Sequence, residues 1–259
     1  MKQSIFCTIL ISIFLFTALP VTALAGDEGT GQKAVLVTGA STGIGRKIAE
    51  DLAGMGFHVY AGARKQKDLD ALDAIENIQA VRLDVTIQEE IDAAVTTVEK
   101  GGKGLYGLVN NAGVFTGGPL IEVDVEDYEW IMDVNVTGVY RVTQAFAPMI
   151  IESQGRITTI SSISGINSGR FFGHYTMSKH AVEAYTDSLA VEMQKFGVAV
   201  SAIEPGNYNS AIGATAMKNM ASSLSVEDSR FYKDELTEWV GGSWDREKYK
   251  EPDEVSEAA

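Results

Sequence analysis

The sequence predicts an α/β protein built as one doubly wound parallel sheet with helices on both faces. Three observations predict it. Strand-like apolar segments alternate with helix-like segments from Lys33 to Pro205, the β-α-β order that lays strands parallel. The first strand, Ala34-Val35-Leu36-Val37, is apolar at every position, as a strand covered on both faces must be. A glycine-rich turn, Thr38 to Gly45, then joins that strand to the first helix, where such folds receive a phosphate group.

The elements follow in order. A helix is expected through Arg46 to Met55, and Phe57 to Ala61 reads as the second strand. Asp68 to Glu76 is helical, and Ala80 to Leu83 is the third strand. Ile87 to Glu99 carries apolar residues near helical spacing, and Leu105 to Val109 is the fourth strand. Helices are predicted over Asp124 to Met132 and Val136 to Ile151. Arg156 to Ile160, rich in β-branched residues, is the fifth strand. A long helix covers Tyr175 to Phe196, and Val198 to Ile203 is the sixth strand, ended by Pro205-Gly206. The segment from Tyr208 to Tyr249 shows no clean strand and carries Met217, Met220, Phe231, Trp239 and Trp244. Following the sixth strand, it is placed to cover the crevice at the carboxyl ends of the strands.

Composition narrows the function classes. The chain has 259 residues, 45% hydrophobic and 22% charged, suited to one domain with one sizeable core. Its formal net charge is −14, which argues against nucleic acid as the main partner, since phosphate backbones call for a basic footprint. The same charge argues against adhesion to anionic lipid. The one cysteine is Cys7, so the body is expected to hold no disulfide, thiol nucleophile or cysteine metal site. His58, His174 and His180 are the only histidines. No carboxylate stands at metal-ligand spacing beside His174 and His180, so no metal is expected and a surface or supporting role is assigned to them.

The first 25 residues read as a leader. Lys2 supplies a positive start, Ile5 to Leu19 is an apolar run, and Ala23-Leu24-Ala25 is a small-x-small cleavage pattern before Gly26. The run is short for a spanning helix. Residues 1–25 are therefore expected to be a signal peptide and residues 26–259 the functional domain. Export to a periplasmic or external compartment follows, with an uncleaved membrane anchor as the alternative.

The chemistry-bearing residues lie at the strand ends. Gly39, Gly43 and Gly45 let the backbone approach a pyrophosphate at the helix N-terminus, with Ser41 and Ile44 in the same turn. A carboxylate after the second strand would bind the ribose 2′-hydroxyl of NAD. Arg64 and Lys65 stand there instead, offering positive charge to the 2′-phosphate of NADP. NADP is thus the expected cofactor, with NAD as the alternative. Asn110-Asn111-Ala112-Gly113 closes the fourth strand with small residues that admit a flat ligand, and asparagines there can tie adjoining loops. Tyr175 and Lys179 are four apart and share a helix face. A tyrosine is a poor base at neutral pH, and a neighbouring ammonium favours its phenolate. Ser162, at the end of the fifth strand, can bind a substrate oxygen.

Taken together, Thr38–Gly45, Asp84, Asn110–Gly113, Asn135, Ser162, Tyr175–Lys179 and Pro205–Gly206 resemble the single-domain branch of the short-chain dehydrogenase/reductase family over residues 33 to 210. Glu204-Pro205-Gly206-Asn207-Tyr208 is similar to its retinol and hydroxysteroid dehydrogenase subgroup. The resemblance implies a Rossmann-like fold and an NAD(P)(H)-dependent oxidoreductase that interconverts an alcohol and a carbonyl, with a small to medium apolar substrate. It implies Tyr175 as general acid/base, Lys179 as its activator and a ligand of the nicotinamide ribose, and Ser162 as the group that polarises the carbonyl. Asn135 would hold a water in a relay to Lys179. Asp84 would contact the adenine, and Pro205 and Gly206 would border the nicotinamide. Ser210 stands where the family often has threonine.

One departure from the family pattern concerns the end of the chain. Glu251 to Ala259 looks like the start of a helix, and no final strand follows, so a sheet lacking that strand is expected. A homo-oligomer is compatible with the resemblance. Two rival readings use the same fold. A non-catalytic NADP(H)-sensing protein would be signalled by loss of Tyr175 or Lys179, and both are present. A nucleotide-sugar epimerase would favour a G-x-x-G-x-x-G turn and a longer C-terminal region.

Overall fold

The strand order of the sheet places the site. In a computed structural model that describes residues 31–208, 226–242 and 249–259, six parallel strands lie in the order β3-β2-β1-β4-β5-β6. They are β1 (Ala34–Val37), β2 (His58–Ala63), β3 (Ile78–Arg82), β4 (Gly107–Asn110), β5 (Arg156–Ile160) and β6 (Ala199–Ile203). The order reverses between β1 and β4, so the connections leaving those two strands part in opposite directions and open a crevice at their carboxyl ends. The glycine turn after β1 and the Asn110–Gly113 segment after β4 flank that crevice.

Alternation along the strands divides the core between the two faces. Val35 and Val37, with Val59, Ala61 and Val109, pack under α1 (Gly43–Gly54) and α2 (Gln66–Asp73). Leu36, Tyr60, Leu108 and Ile157 pack on the opposite face against α3 (Gln88–Gly101) and α5 (Gly138–Glu152), through Ile91, Val98, Val142 and Phe146. The uniformly apolar first strand thus has apolar cover on both sides.

The local differences from expectation have physical causes. The first helix begins at Gly43 rather than Arg46, so Gly43, Ile44 and Gly45 form its first turn. The second strand runs to Ala63, which sets Arg64 directly at its end. The two helices expected after β4 are α4 (Val125–Met132) and α5, joined without a break by a wider turn over Asp133–Thr137, where the Gly138 N–H reaches back to Asp133. The long helix α6 (Gly173–Met193) starts two residues early and ends in a short turn at Gln194–Phe196. Past β6, α7 (Lys233–Gly241) and α8 (Asp253–Ala258) are helical. Helix α8 packs on α1: Ser256 donates to Asp51 at 2.5 Å, and Lys47 lies 2.9 Å from Asp253. The leader, Ser210, Met217, Met220 and Trp244 lie outside the described residues. Among the described residues, no helix is long and apolar enough to cross a membrane, and no three His, Cys, Asp or Glu side chains gather as a metal site.

Candidate active site

The glycine turn is a cradle closed from below by Asn111. Gly39 has φ +64°, and a Cβ there would fall 2.8 Å from the Ala112 Cα; a side chain would be both strained and blocked. Asn111 donates from Nδ2 to the Thr38 and Gly39 carbonyls at 2.9 and 3.1 Å. The Thr38 hydroxyl accepts from the Asn111 and Ala112 N–H groups, both at 2.9 Å. The end of β1 is thus laced to the end of β4. Thr42, before α1, makes no side-chain capping bond, so the first N–H groups of α1 keep their donors for an incoming anion. These residues fit a dinucleotide pyrophosphate.

Farther along the crevice, the structure brings Arg64 and Asp84 together. Arg64 stands 3.5 Å from Asp84 and is 60% exposed. Asp84 also accepts from the N–H and hydroxyl of Thr86 at 3.0 and 2.7 Å. Burial pushes its carboxyl up, but the two Thr86 bonds and the Arg64 charge more than offset this and hold it below the usual range. The carboxylate is therefore ionised, with the exposed Arg64 guanidinium at the edge of hydrogen-bond reach.

Lys179 lies at the carboxyl end of β5. The residue is 6% exposed, and its amine donates to the Ile160 carbonyl at 2.9 Å. It lies 5.7 Å from the centroid of the Tyr175 ring, so the helical spacing delivers the expected pairing. Burial pushes the amine down to about 8, while Glu183 pulls the other way. A Cβ on Gly113 would sit 3.8 Å from the Lys179 amine and 3.4 Å from Asn135 Oδ1, which places Gly113, Asn135 and Lys179 around one small space.

The Asn135 side-chain amide is bonded at both its oxygen and its nitrogen. It lies in the Asp133–Thr137 turn and is buried. Its Oδ1 accepts from Val114 N–H at 2.8 Å, and its Nδ2 donates to the Val114 carbonyl and the Ser178 hydroxyl at 2.9 and 3.0 Å. The amide is thereby a clamp between the loop after β4 and helix α6. Ser162 lies two residues past the end of β5, where its Oγ accepts from Ser164 N–H at 3.1 Å and caps the turn Ile163–Gly165. The next N–H, of Ile163, donates to the Pro205 carbonyl at 3.1 Å, which draws Pro205 and Gly206 toward the serine. His174 is not a surface residue: it is 4% exposed, its ring stands 6.1 Å from that of Tyr128, and burial holds it below the usual imidazole range.

Sequence reasoning missed an aromatic wall. The Tyr175 ring lies tilted against Phe115 at 5.0 Å, Phe115 meets Phe172 edge to face at 5.3 Å, and Phe172 meets Trp239 of α7 edge to face at 5.7 Å. Phe171, with φ +64°, continues the wall to Trp239 and Tyr232. A left-handed phenylalanine costs about 1–2 kcal/mol; the packing of its ring and the bond from Gly118 N–H to its carbonyl, at 2.8 Å, hold it there. Glu122 fastens the segment after β6 to this side, accepting from the Ser229 hydroxyl at 2.6 Å and the Phe231 N–H at 2.8 Å. The adjacent Phe171-Phe172 just before Tyr175 was the available signal. Of the segment after β6, Trp239 reaches this wall through Phe171 and Phe172.

With this geometry in view, comparison with known proteins decides the family. The short chain dehydrogenase profile matches residues 33–221. The chain belongs to the short chain dehydrogenase family. This dehydrogenase is 35% identical over 256 residues to the mitochondrial D-beta-hydroxybutyrate dehydrogenase of Bos taurus, covering 93% of this chain and 73% of that one. It is 39% identical over 197 residues to 17-beta-hydroxysteroid dehydrogenase type 6 of Homo sapiens, covering 74% and 60%. Among solved structures, a short chain dehydrogenase/reductase from Burkholderia phymatum in complex with NAD superposes with a TM-score of 0.76 at 25% identity, covering 88% of this chain and 84% of that one. The parallel six-stranded sheet is the Rossmann-like fold of that family, and the dehydrogenase is an oxidoreductase acting on hydroxyl groups.

Proposed function

We propose that this dehydrogenase interconverts an alcohol and a carbonyl of small to medium size and apolar character, with Tyr175 as general acid/base and NADP(H) as preferred cofactor. The observation that carries the reading is the buried Lys179 amine, held by the Ile160 carbonyl beside the Tyr175 ring. An ammonium there favours the phenolate, which in the oxidation direction takes the proton from the substrate hydroxyl. Ser162 offers its hydroxyl to the substrate oxygen. The Ile160 carbonyl occupies one of the three donors of Lys179, and the others remain for Tyr175 and a ribose hydroxyl. A bound nicotinamide would supply the hydride donor or acceptor. The Phe115, Phe172 and Trp239 rings next to Tyr175 give an apolar substrate a surface to cover. The hydroxybutyrate and hydroxysteroid relatives mark a small and a larger alcohol as the probes to try first. Turnover of the purified chain against 3-hydroxybutyrate, a 17β-hydroxysteroid and aliphatic alcohols, with each cofactor, tests the reading; no turnover with any of them would overturn it.

The NADP(H) preference rests on Arg64 and Lys65 and on the lack of a carboxylate directly after β2. Arg64 is loosely paired and exposed, so it can turn from Asp84 to a 2′-phosphate. Arg64→Ala is expected to raise the Michaelis constant for NADPH about tenfold, the effect of one lost charge-assisted bond, and to change that for NADH little. Steady-state titration of the two cofactors measures this, and equal changes would refute the preference.

We also infer that residues 1–25 direct export and are removed before Gly26, on the strength of Lys2, the apolar run and Ala23-Leu24-Ala25. N-terminal sequencing of protein from its native host is expected to begin at Gly26. A chain beginning at Met1 and sedimenting with membranes would replace cleavage with an anchor, and a cytosolic chain beginning at Met1 would reject both.

A further inference from the structure

Tyr175, Lys179 and Glu183 follow one another at four-residue steps along α6, which sets them in a row on one side of the helix. The third member of the row has no part in the mechanism above. Its Oε1 is out of solvent and has no hydrogen-bond partner among the described residues. A carboxylate oxygen so placed is costly unless a charge or a donor compensates it.

Two neighbours bear on it. The first is Lys179. Among the described residues, the Ile160 carbonyl of β5 accepts from Lys179, and Gly113 after β4 and Asn135 of the Asp133–Thr137 turn lie by its amine; none of these three is ionisable. On α6 itself it has Tyr175 beside it, and Glu183 is the charged side chain that favours its ammonium against burial. The second neighbour is the turn that follows Ser162. A Cβ on Gly165 would lie 2.7 Å from Glu183 Oε1 and 2.8 Å from Ser161 Oγ, and the Ser161 hydroxyl is likewise buried without a partner among the described residues. The absence of a side chain at Gly165 is what lets the carboxylate and the hydroxyl share this space.

We propose that Glu183 is a positioning residue of the alcohol–carbonyl reaction: its carboxylate keeps Lys179 in the ammonium form from one helical turn away and seats the Ser162 turn by packing against Gly165. The proposal rests on the acid/base reading of Tyr175. It makes Glu183 the link between the two halves of the site, the helix that carries Tyr175 and the turn that carries Ser162. Glu183 acts through Lys179 and touches neither substrate nor cofactor.

The test reads Lys179 directly and needs neither substrate nor cofactor. The full chain is labelled with isotopic lysine, the side-chain nitrogen of Lys179 is assigned with Lys179→Arg, and its titration is followed by nuclear magnetic resonance. The wild-type midpoint is expected near 8. Glu183→Gln is expected to lower it by about one pH unit, as loss of a nearby opposite charge does. Glu183→Asp, which keeps the charge one methylene farther back, is expected to fall between the two and remains the test if the glutamine variant does not fold. In turnover of whichever probe alcohol the wild type accepts, the alkaline limb of the kcat/KM profile moves to lower pH in the same order. An unchanged Lys179 midpoint in both folded variants overturns the proposal. So does an equal activity loss in both with an unshifted profile, which marks a structural residue. If the wild type turns over no probe, the acid/base reading falls, while the Lys179 midpoint still decides whether Glu183 controls the lysine.

Discussion

Tyr175→Phe is expected to lower kcat by about 10²–10⁴-fold, the typical cost of removing a positioned acid/base, while cofactor binding stays close to wild type. The substitution removes one oxygen and keeps the ring. The ring's packing on Phe115 at 5.0 Å is retained, so the aromatic wall keeps its shape. Lys179 is anchored by the Ile160 carbonyl and not by the tyrosine alone, so its place beside a cofactor ribose survives. Single-turnover nicotinamide absorbance gives the rate, and fluorescence titration gives the cofactor affinity. Near-normal turnover by the folded variant would remove Tyr175 from the mechanism. Parallel loss of cofactor binding would make it a structural residue.

Gly45→Ala is expected to have the largest effect on cofactor binding. A Cβ at Gly45 would land on Asn111 Nδ2 and 2.6 Å from the Gly39 carbonyl oxygen. Neither can yield freely: Asn111 Nδ2 donates to Thr38 and Gly39, and Gly39 is backbone in a left-handed turn. Overpacking at such a point costs about 1–3 kcal/mol, which for a chain of this size lowers Tm by several degrees. It also displaces the glycine turn that would hold the pyrophosphate; about 2 kcal/mol lost there weakens the cofactor roughly thirtyfold. Thermal melting with and without cofactor measures both. Gly54→Ala is the control, since nothing lies within 4 Å of a Cβ there and alanine suits a helix better than glycine. Unchanged melting and affinity in Gly45→Ala would show that the Asn111 clasp does not shape the turn.

Much of the fold was legible because its signals are local. Val35, Leu36 and Val37 announce a doubly covered strand by being apolar at successive positions, and the fifth strand ran over Arg156–Ile160 as expected. Boundaries moved where a glycine or a connection set them. Gly43 opened α1 three residues early, and Asp133–Thr137 joined two expected helices into one rod. The Tyr175–Lys179 pairing was equally legible, since a four-residue step on a helix fixes a shared face whatever the rest of the chain does.

What stayed hidden depends on partners far away in the chain. Asn111 reaches back 73 residues to Thr38, and Glu122 reaches forward 109 to Phe231. The Asn135 side chain clamps Val114 to Ser178, contacts that its place in the sequence does not announce. His174 reads as a surface or supporting side chain and proves buried against Tyr128. An amide or an imidazole is compatible with many surroundings, so its type alone does not name its neighbours.

The sequence by itself determined the α/β class, the parallel strands, the glycine turn after the first of them, and the helical step that unites Tyr175 with Lys179. Each follows from residue type and spacing within a few positions, where backbone sterics and side-chain periodicity act directly. Only the tertiary structure decided the strand order β3-β2-β1-β4-β5-β6, the aromatic wall from Tyr175 to Trp239, the Arg64–Asp84 pair and the approach of Glu183 to Gly165. These contacts join segments far apart in the chain, and they are selected by close packing and by the need of buried polar groups for partners, which no local pattern records.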